Sequence, residues 1–169
     1  MQELAFVGLG SNLGHPRRRL ARAIASLARL PRSRLIAVSG NYVSAPVDCT
    51  GPQPDYVNAV AELRTALTPS ALLRRMRDIE RRQGRRRDGL PQRNAPRVLD
   101  LDLLMFGRRR SSRPQLALPH PRMHERAFVL RPLVDIAPAV TIPGRGSARN
   151  WLRHTRGQRI ARTRSHAWR

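Results

Sequence analysis

The order in which two hydrophobic periods alternate along this chain restricts its fold more than any other feature. Residues 4–9 form a short apolar run containing Phe6 and Val7, ended by Gly8 and Gly10, and read as a buried strand. Pro16 then opens a stretch in which Leu20, Ile24, Leu27 and Leu30 recur at helical spacing until Pro31 stops it. Residues 35–43, with β-branched Ile36, Val38 and Val43, predict a second strand. Residues 44–54 are a proline- and glycine-rich loop, and 56–63 a third strand. Thr68-Pro69 caps a second helix carrying Leu72, Leu73, Met76 and Ile79, closed near Gly84. Residues 85–96 are a basic loop without apolar periodicity, and 98–106 a fourth strand. A short strand at 116–119, a helical turn or two at 126–136 and a short helix around Trp151 and Leu152 complete the expectation. The order strand-helix-strand-strand-helix-strand is the split βαβ pattern of a ferredoxin-like α/β (α+β) fold, an antiparallel sheet with helices expected on one face.

A chain of 169 residues suits one domain, assigned to residues 1–156. Residues 157–169 read as a basic, weakly ordered tail. Cys49 is the single cysteine, so no internal disulfide can form, which fits a reducing compartment and a cytoplasmic protein. The start lacks the pattern of a signal peptide, and no apolar run approaches the ~20 residues that cross a bilayer.

The net charge of +22, from 33 basic and 11 acidic residues, first suggests nucleic acid. Every basic residue is arginine, however, and the arginines run along the whole chain. Selection for a nucleic-acid surface would not exclude lysine, a good phosphate binder. A basic nucleic-acid-binding module therefore stands as the alternative, not the main reading.

Residues 8–14, Gly-Leu-Gly-Ser-Asn-Leu-Gly, invite a dinucleotide fingerprint, but the last glycine falls one place too late. No acidic residue lies between positions 4 and 47 to hold a ribose. The segment reads as a strand-to-helix turn.

The strongest chemical signal is Asp100-Leu101-Asp102. On a strand, positions i and i+2 share a face, so the carboxylates stand roughly 7 Å apart while Leu99, Leu101 and Leu103 face the core. Such a pair repels unless a cation sits near it, and magnesium accepts one or two carboxylates together with phosphate oxygens. A solvent-facing strand paired with arginines explains the pattern equally well. Arg85, Arg87 and Arg97 flank the pair and suit phosphate oxygens, or are a solvated basic loop. His120, stiffened between Pro119 and Pro121, can contact phosphate or be structural. Tyr56 and Phe128 can sandwich a flat heterocycle and Asn58 can pair with its edge, or they fill the core.

Together these segments resemble the 6-hydroxymethyl-7,8-dihydropterin pyrophosphokinase family. The resemblance runs from about Ala5 to Pro143. It rests on the glycine segment, Gln53-Pro-Asp-Tyr-Val-Asn58, Ile79-Glu80 with Gln83-Gly84-Arg85, Pro96-Arg-Val-Leu-Asp-Leu-Asp-Leu-Leu104 and Leu118-Pro-His-Pro-Arg-Met123. It implies attack of a pterin hydroxyl on the β-phosphorus of ATP with AMP leaving, a step in folate biosynthesis. By position, Asp100 and Asp102 would hold two Mg²⁺ ions, and Arg85, Arg87, Arg97 and His120 would grip the triphosphate. Glu80 and Leu103 would lie near the nucleotide. Tyr56 and Phe128 would stack on the pterin, Asn58 would pair with it, Ser44, Ala45 and Val47 would line its pocket, and Arg126 would sit near the reacting groups. The loops 44–54 and 85–96 would act as lids. The partners implied are small molecules, with no membrane and a monomeric chain. A degenerate paralogue is the other alternative. Two positions depart from the family pattern: Asn94 stands where a tryptophan is common, and Pro121 where a tyrosine commonly follows the histidine.

Overall fold

A computed structural model describes residues 1–49, 51–84 and 96–163. Its strands and helices follow the predicted order. Strand β1 (Glu3–Ser11) leads to helix α1 (Pro16–Ala28), β2 (Ser33–Val38), β3 (Tyr42–Ser44), β4 (Tyr56–Thr65) and α2 (Pro69–Arg82). After the 85–95 stretch come β5 (Asp100–Phe106), a hairpin of β6 (Ser111–Arg113) and β7 (Leu116–Leu118), and α3 (Ala127–Ile136). A small ribbon of β8 (Thr141–Ile142) and β9 (Gly146–Ser147), then α4 (Ala148–Arg153) and β10 (Ile160–Arg162), complete the described chain.

Local chemistry accounts for the helix ends. Pro16 occupies the first turn of α1, and its Leu20, Ala23, Ile24 and Leu27 form one buried stripe. At α2 the Thr68 hydroxyl accepts the Ala71 amide at 3.2 Å, Pro69 follows, and Arg81 and Arg82 lie in the last turn, where the helix dipole favours cations.

All pairings in the main sheet are antiparallel, in the order β10-β3-β4-β1-β5, with β2 also on β4. Taking β2 and β3 as one interrupted strand, the fourth, first, third and second core strands lie side by side, the ferredoxin-like arrangement. The second strand is interrupted because Ser39 turns its hydroxyl into the ladder. Ser39 Oγ accepts the Val60 amide at 2.9 Å while Ser39 N donates to the Val60 carbonyl at 2.9 Å.

Helices cover both faces of the sheet, not one. On the first face Ala5, Val7, Leu9, Ala59, Ala61, Leu101 and Leu103 pack with the stripes of α1 and α2. On the second, Phe6, Val60, Leu104 and Met105 pack with Val129, Leu130 and Leu133 of α3 and with Ala148 of α4. The period of two along β1, β4 and β5 supplies both sets, except where a register shift opposite Phe6 and Val7 leaves the consecutive Leu104 and Met105 both on the second face. The second face was hidden in the sequence because α3 is a full ten-residue helix with Pro132 inside it, where one or two turns were expected.

The expected loose tail is also corrected. Within it Ile160–Arg162 join the sheet as β10, with Ile160 opposite Ser44 and Arg162 opposite Tyr42, and the Thr163 amide donates to the Asn41 carbonyl at 2.9 Å. Residues 164–169 lie outside the described residues. Among the described residues no helix is long and apolar enough to cross a membrane.

Candidate active site

On the second face, beyond the α3 core, the sheet floor is left open. Gly8 and Gly10 of β1 stand opposite Asp102 and Asp100 of β5, and Gly10 also stands opposite Asn58 of β4. The two glycines lie within β1 rather than in a turn, which corrects the reading of residues 8–14; the chain turns after Ser11, and Gly14 takes φ +66°. Their missing side chains leave a floor flanked by two carboxylates and an amide. A Cβ on Gly10 would sit 3.3 Å from Asn58 Oδ1, and one on Gly8 3.4 Å from Leu104 Cδ2.

Above this floor lies a cleft of about 440 Å³. Ser44, Ala45 and Val47 form one wall, joined by Tyr56 and Asn58. His120, Arg126 and Phe128 form the facing wall, and Arg97, Asp100 and Asp102 occupy the floor and one end. The structure thus gathers in one cavity eleven residues that the sequence singled out. Glu80 and Leu103 stand elsewhere. Leu103 is buried in the α1–α2 core, on the opposite face of β5 from Asp102. Glu80 is 2% exposed, and its Oε1 accepts the Leu101 amide at 2.8 Å. Arg85, Arg87, Asn94 and most of the 85–96 loop lie outside the described residues.

The Asp100 carboxylate receives Arg97 Nη1 at 2.7 Å. Asp102 lies beside it without such a bond in the described set, 4.0 Å from His120 Nε2. Of its side chain 37% is open to the cleft, and the rest is desolvated by the neighbouring protein. That burial, reinforced by the Asp100 charge, pushes its pKa up to about 7. Paired oxygen donors that repel one another and face a cleft are the chemistry a hard divalent cation takes up. Among the described residues no cluster of three or more His, Cys, Asp or Glu side chains forms a cation cage. The pair fits a magnesium that keeps its remaining positions for water and phosphate oxygens.

His120 is fixed by its own backbone and ring. Its amide donates to the Leu104 carbonyl at 2.8 Å, and its Nδ1 accepts the Arg122 amide at 3.2 Å. Burial and the nearby Arg126 charge hold its pKa down at about 4. The ring is therefore neutral near pH 7, with Nδ1 accepting and Nε2–H free to donate into the cleft. Burial also lowers the Arg126 pKa, and that guanidinium lies 5.5 Å from the Phe128 ring centre. Burial raises the Tyr56 pKa above its usual value, so the phenol stays protonated. Asn58 donates Nδ2–H to Ser44 Oγ at 2.9 Å, which leaves its carbonyl oxygen on the Gly10 side.

Two supports escaped sequence reasoning. Asn12, 3% exposed, accepts the Arg97 amide at 2.9 Å and donates to the Pro54 carbonyl at 3.1 Å. It ties Arg97 to the segment that carries Tyr56. Its signal was a polar Ser-Asn pair following an apolar strand, which the turn reading absorbed. Arg122 pairs with Asp48 at 2.9 Å and with Glu125 at 3.3 Å, joining the two walls across the rim. Both residues lie inside segments that carry the resemblance, Asn12 in 8–14 and Arg122 in 118–123, but nothing local marks either for this contact.

The fold and the cleft together define an α/β protein that gathers a carboxylate pair, arginines and a histidine beside an aromatic, amide-lined slot. Comparisons with known proteins give its family. A model of the 7,8-dihydro-6-hydroxymethylpterin-pyrophosphokinase (HPPK) family matches residues 6–138. The chain is 47% identical over 145 residues to the 2-amino-4-hydroxy-6-hydroxymethyldihydropteridine pyrophosphokinase of Pseudomonas aeruginosa, covering 85% of this chain and 86% of that one. It is 41% identical over 141 residues to the Haemophilus influenzae protein of the same name, covering 82% and 84%. Among solved structures, the Plasmodium falciparum HPPK-DHPS with pteroate superposes with a TM-score of 0.71 at 11% identity. That match takes in 91% of this chain and 44% of that one, so the chain spans less than half the length of the two-part protein. At that identity the likeness concerns the fold. The chain belongs to the 7,8-dihydro-6-hydroxymethylpterin-pyrophosphokinase family.

Proposed function

We propose that this chain transfers diphosphate from ATP to the hydroxymethyl group of 6-hydroxymethyl-7,8-dihydropterin, giving AMP and the pterin diphosphate, a step in folate biosynthesis. The observation that carries the reading is the register of Asp100 and Asp102 against Gly10 and Gly8, which puts two carboxylates on the open floor of a slot lined by Tyr56, Asn58 and Phe128.

In this reading the pterin lies between Tyr56 and Phe128, its edge against the Asn58 carbonyl, with Ser44, Ala45 and Val47 as the pocket wall. The hydroxymethyl group then points toward Asp100 and Asp102. Asp100 and Asp102 would hold magnesium, two ions in the proposed form, and that metal would supply charge neutralisation for the triphosphate and a lowered pKa for a hydroxyl nearby. Arg97 and Arg126 supply fixed positive charge along the β- and γ-phosphates. His120 donates its Nε2–H to a phosphate oxygen, and as a neutral ring it removes no proton from the nucleophile at its δ nitrogen. Arg85 and Arg87 complete the triphosphate grip from the 85–96 loop. That loop and residues 44–54 exclude water, which would otherwise accept the diphosphate. The reaction needs alignment and charge neutralisation more than a covalent intermediate. We place it in the cytoplasm, which supplies ATP and keeps Cys49 reduced, and in a monomeric chain.

Phosphorus NMR of a mixture of protein, ATP, magnesium and 6-hydroxymethyl-7,8-dihydropterin tests the reading. It predicts AMP and a pterin diphosphate in equal amounts. ADP as the nucleotide product, or no consumption of ATP, would overturn it.

A further inference from the structure

Residues 158–160 touch three separate parts of the cleft wall. Gln158 bridges the turn before α3: its Oε1 accepts the Ala127 amide at 2.8 Å and its Nε2 donates to the Glu125 carbonyl at 2.6 Å. Arg159 follows. Its carbonyl accepts the Ala45 amide at 3.4 Å, and its guanidinium pairs with Asp55 at 2.7 Å, next to Tyr56. Ile160 then begins β10, opposite Ser44.

The need for this arrangement lies at the start of α3. The first amides of a helix have no partner inside it, and a side chain normally supplies one. Arg126 holds the capping position, yet it makes no side-chain capping hydrogen bond, and its guanidinium lines the cleft over Phe128. Gln158, more than thirty residues away in sequence, supplies the missing acceptor to Ala127. By holding the backbone on both sides of Arg126, it sets the direction in which Arg126 and Phe128 leave the helix start. The Ser44–Ala45 wall is tied to the same short segment, so the width of the slot between the two walls is set from residues 158–160.

We propose that Gln158 is a positioning residue for the pterin half of the site, acting through Arg126, Ala127 and Phe128 while touching no substrate itself. The inference rests on the pyrophosphokinase reading. It makes a segment outside the matched family region, which ends at residue 138, part of the site's construction.

Calorimetry on the full chain tests this with 6-hydroxymethylpterin, titrated in the presence of magnesium and an ATP analogue with a methylene bridge between the α- and β-phosphorus. Nucleotide-analogue affinity is measured separately on the pterin-free protein. Gln158→Ala is expected to weaken pterin binding about tenfold while changing nucleotide affinity less than about twofold. Gln158→Glu keeps an acceptor for Ala127 but turns a carboxylate oxygen against the Glu125 carbonyl, two acceptors facing each other, so a loss at least as large as that of Gln158→Ala is expected. Should Gln158→Ala fail to fold, Gln158→Glu carries the test alone. Unchanged pterin affinity in a folded variant would overturn the inference, as would equal losses for both ligands in step with a fall in Tm. Failure of the unaltered chain to bind pterin at all would overturn the proposed function and this inference with it, and the unaltered chain alone reveals that outcome.

Discussion

Glu80 of α2 accepts the Leu101 amide at 2.8 Å, and Leu101 lies on β5 between Asp100 and Asp102. Strand β5 is the end of the main sheet, paired on one side with β1. The helix thus holds the outer side of the strand at the residue separating the two carboxylates, and so restricts how far Asp100 and Asp102 can turn toward or away from the cleft.

Replacing Glu80 by Ala leaves the Leu101 amide without this acceptor in a buried place, an expected loss of about 1–3 kcal/mol. Glu80→Gln keeps an acceptor oxygen and is expected to lose less than half as much. Urea unfolding midpoints measure both. If Gln and Ala cost the same, the hydrogen bond to Leu101 is not what Glu80 contributes.

The glycine floor gives a second expectation. Gly10→Ala brings a methyl group to 3.3 Å from Asn58 Oδ1, the oxygen proposed to meet the pterin edge, whereas Gly8→Ala meets Leu104 at an ordinary 3.4 Å. Gly10→Ala should raise the KM for pterin about tenfold and leave the KM for ATP within about twofold. Steady-state kinetics with each substrate varied in turn checks this. Equal effects on both substrates would count against Asn58 as the pterin's partner.

His120 carries a pH signature. Its folded pKa of about 4 lies below the ordinary value of 6.5. A group depressed in the folded state stabilises the fold above its unfolded pKa, and that stability is lost as pH falls through the folded value. Asp102, raised in the folded state, works in the opposite direction, losing stability as pH rises through about 7. The two contributions offset each other in the unaltered, metal-free protein. Comparison with His120→Gln isolates the first: the stability gap between the two proteins should change by up to about 3 kcal/mol between pH 6.5 and 4, in favour of the variant as pH falls. A gap independent of pH would contradict a neutral, buried His120. An NMR titration of the ring should likewise show a midpoint near 4.

The parts of this molecule that were legible in the sequence are those fixed by short-range periodicity. The i, i+2 spacing of Asp100 and Asp102 set both on one face, where they line the cleft, and Leu99, Leu101 and Leu103 on the other, in the α1–α2 core. Thr68-Pro69 marked a helix start correctly because capping is decided within four residues. What stayed hidden depends on pairing between distant segments. Gly8 and Gly10 read as a turn, since nothing local reveals that β4 and β5 flank them and make a strand worth extending through two glycines. The interruption of the second strand at Ser39 rests on a hydroxyl entering a ladder with Val60, twenty-one residues away. Residues 157–163 have the composition of a loose tail and become ordered through β3 and the α3 turn. Glu80 fell on the apolar stripe of α2, and its partner on the edge of β5 could not be seen from the helix alone.

The central claim is that Asp100 and Asp102 bind divalent cations together with the nucleotide's phosphates. Manganese titration followed by electron paramagnetic resonance measures it directly, in the presence of pterin and the methylene-bridged ATP analogue, on the unaltered chain and on Asp100→Asn/Asp102→Asn. The account predicts two ions held by the ternary complex of the unaltered protein, with at least about a hundredfold weaker binding in the double variant. Equal manganese binding by both proteins would contradict it.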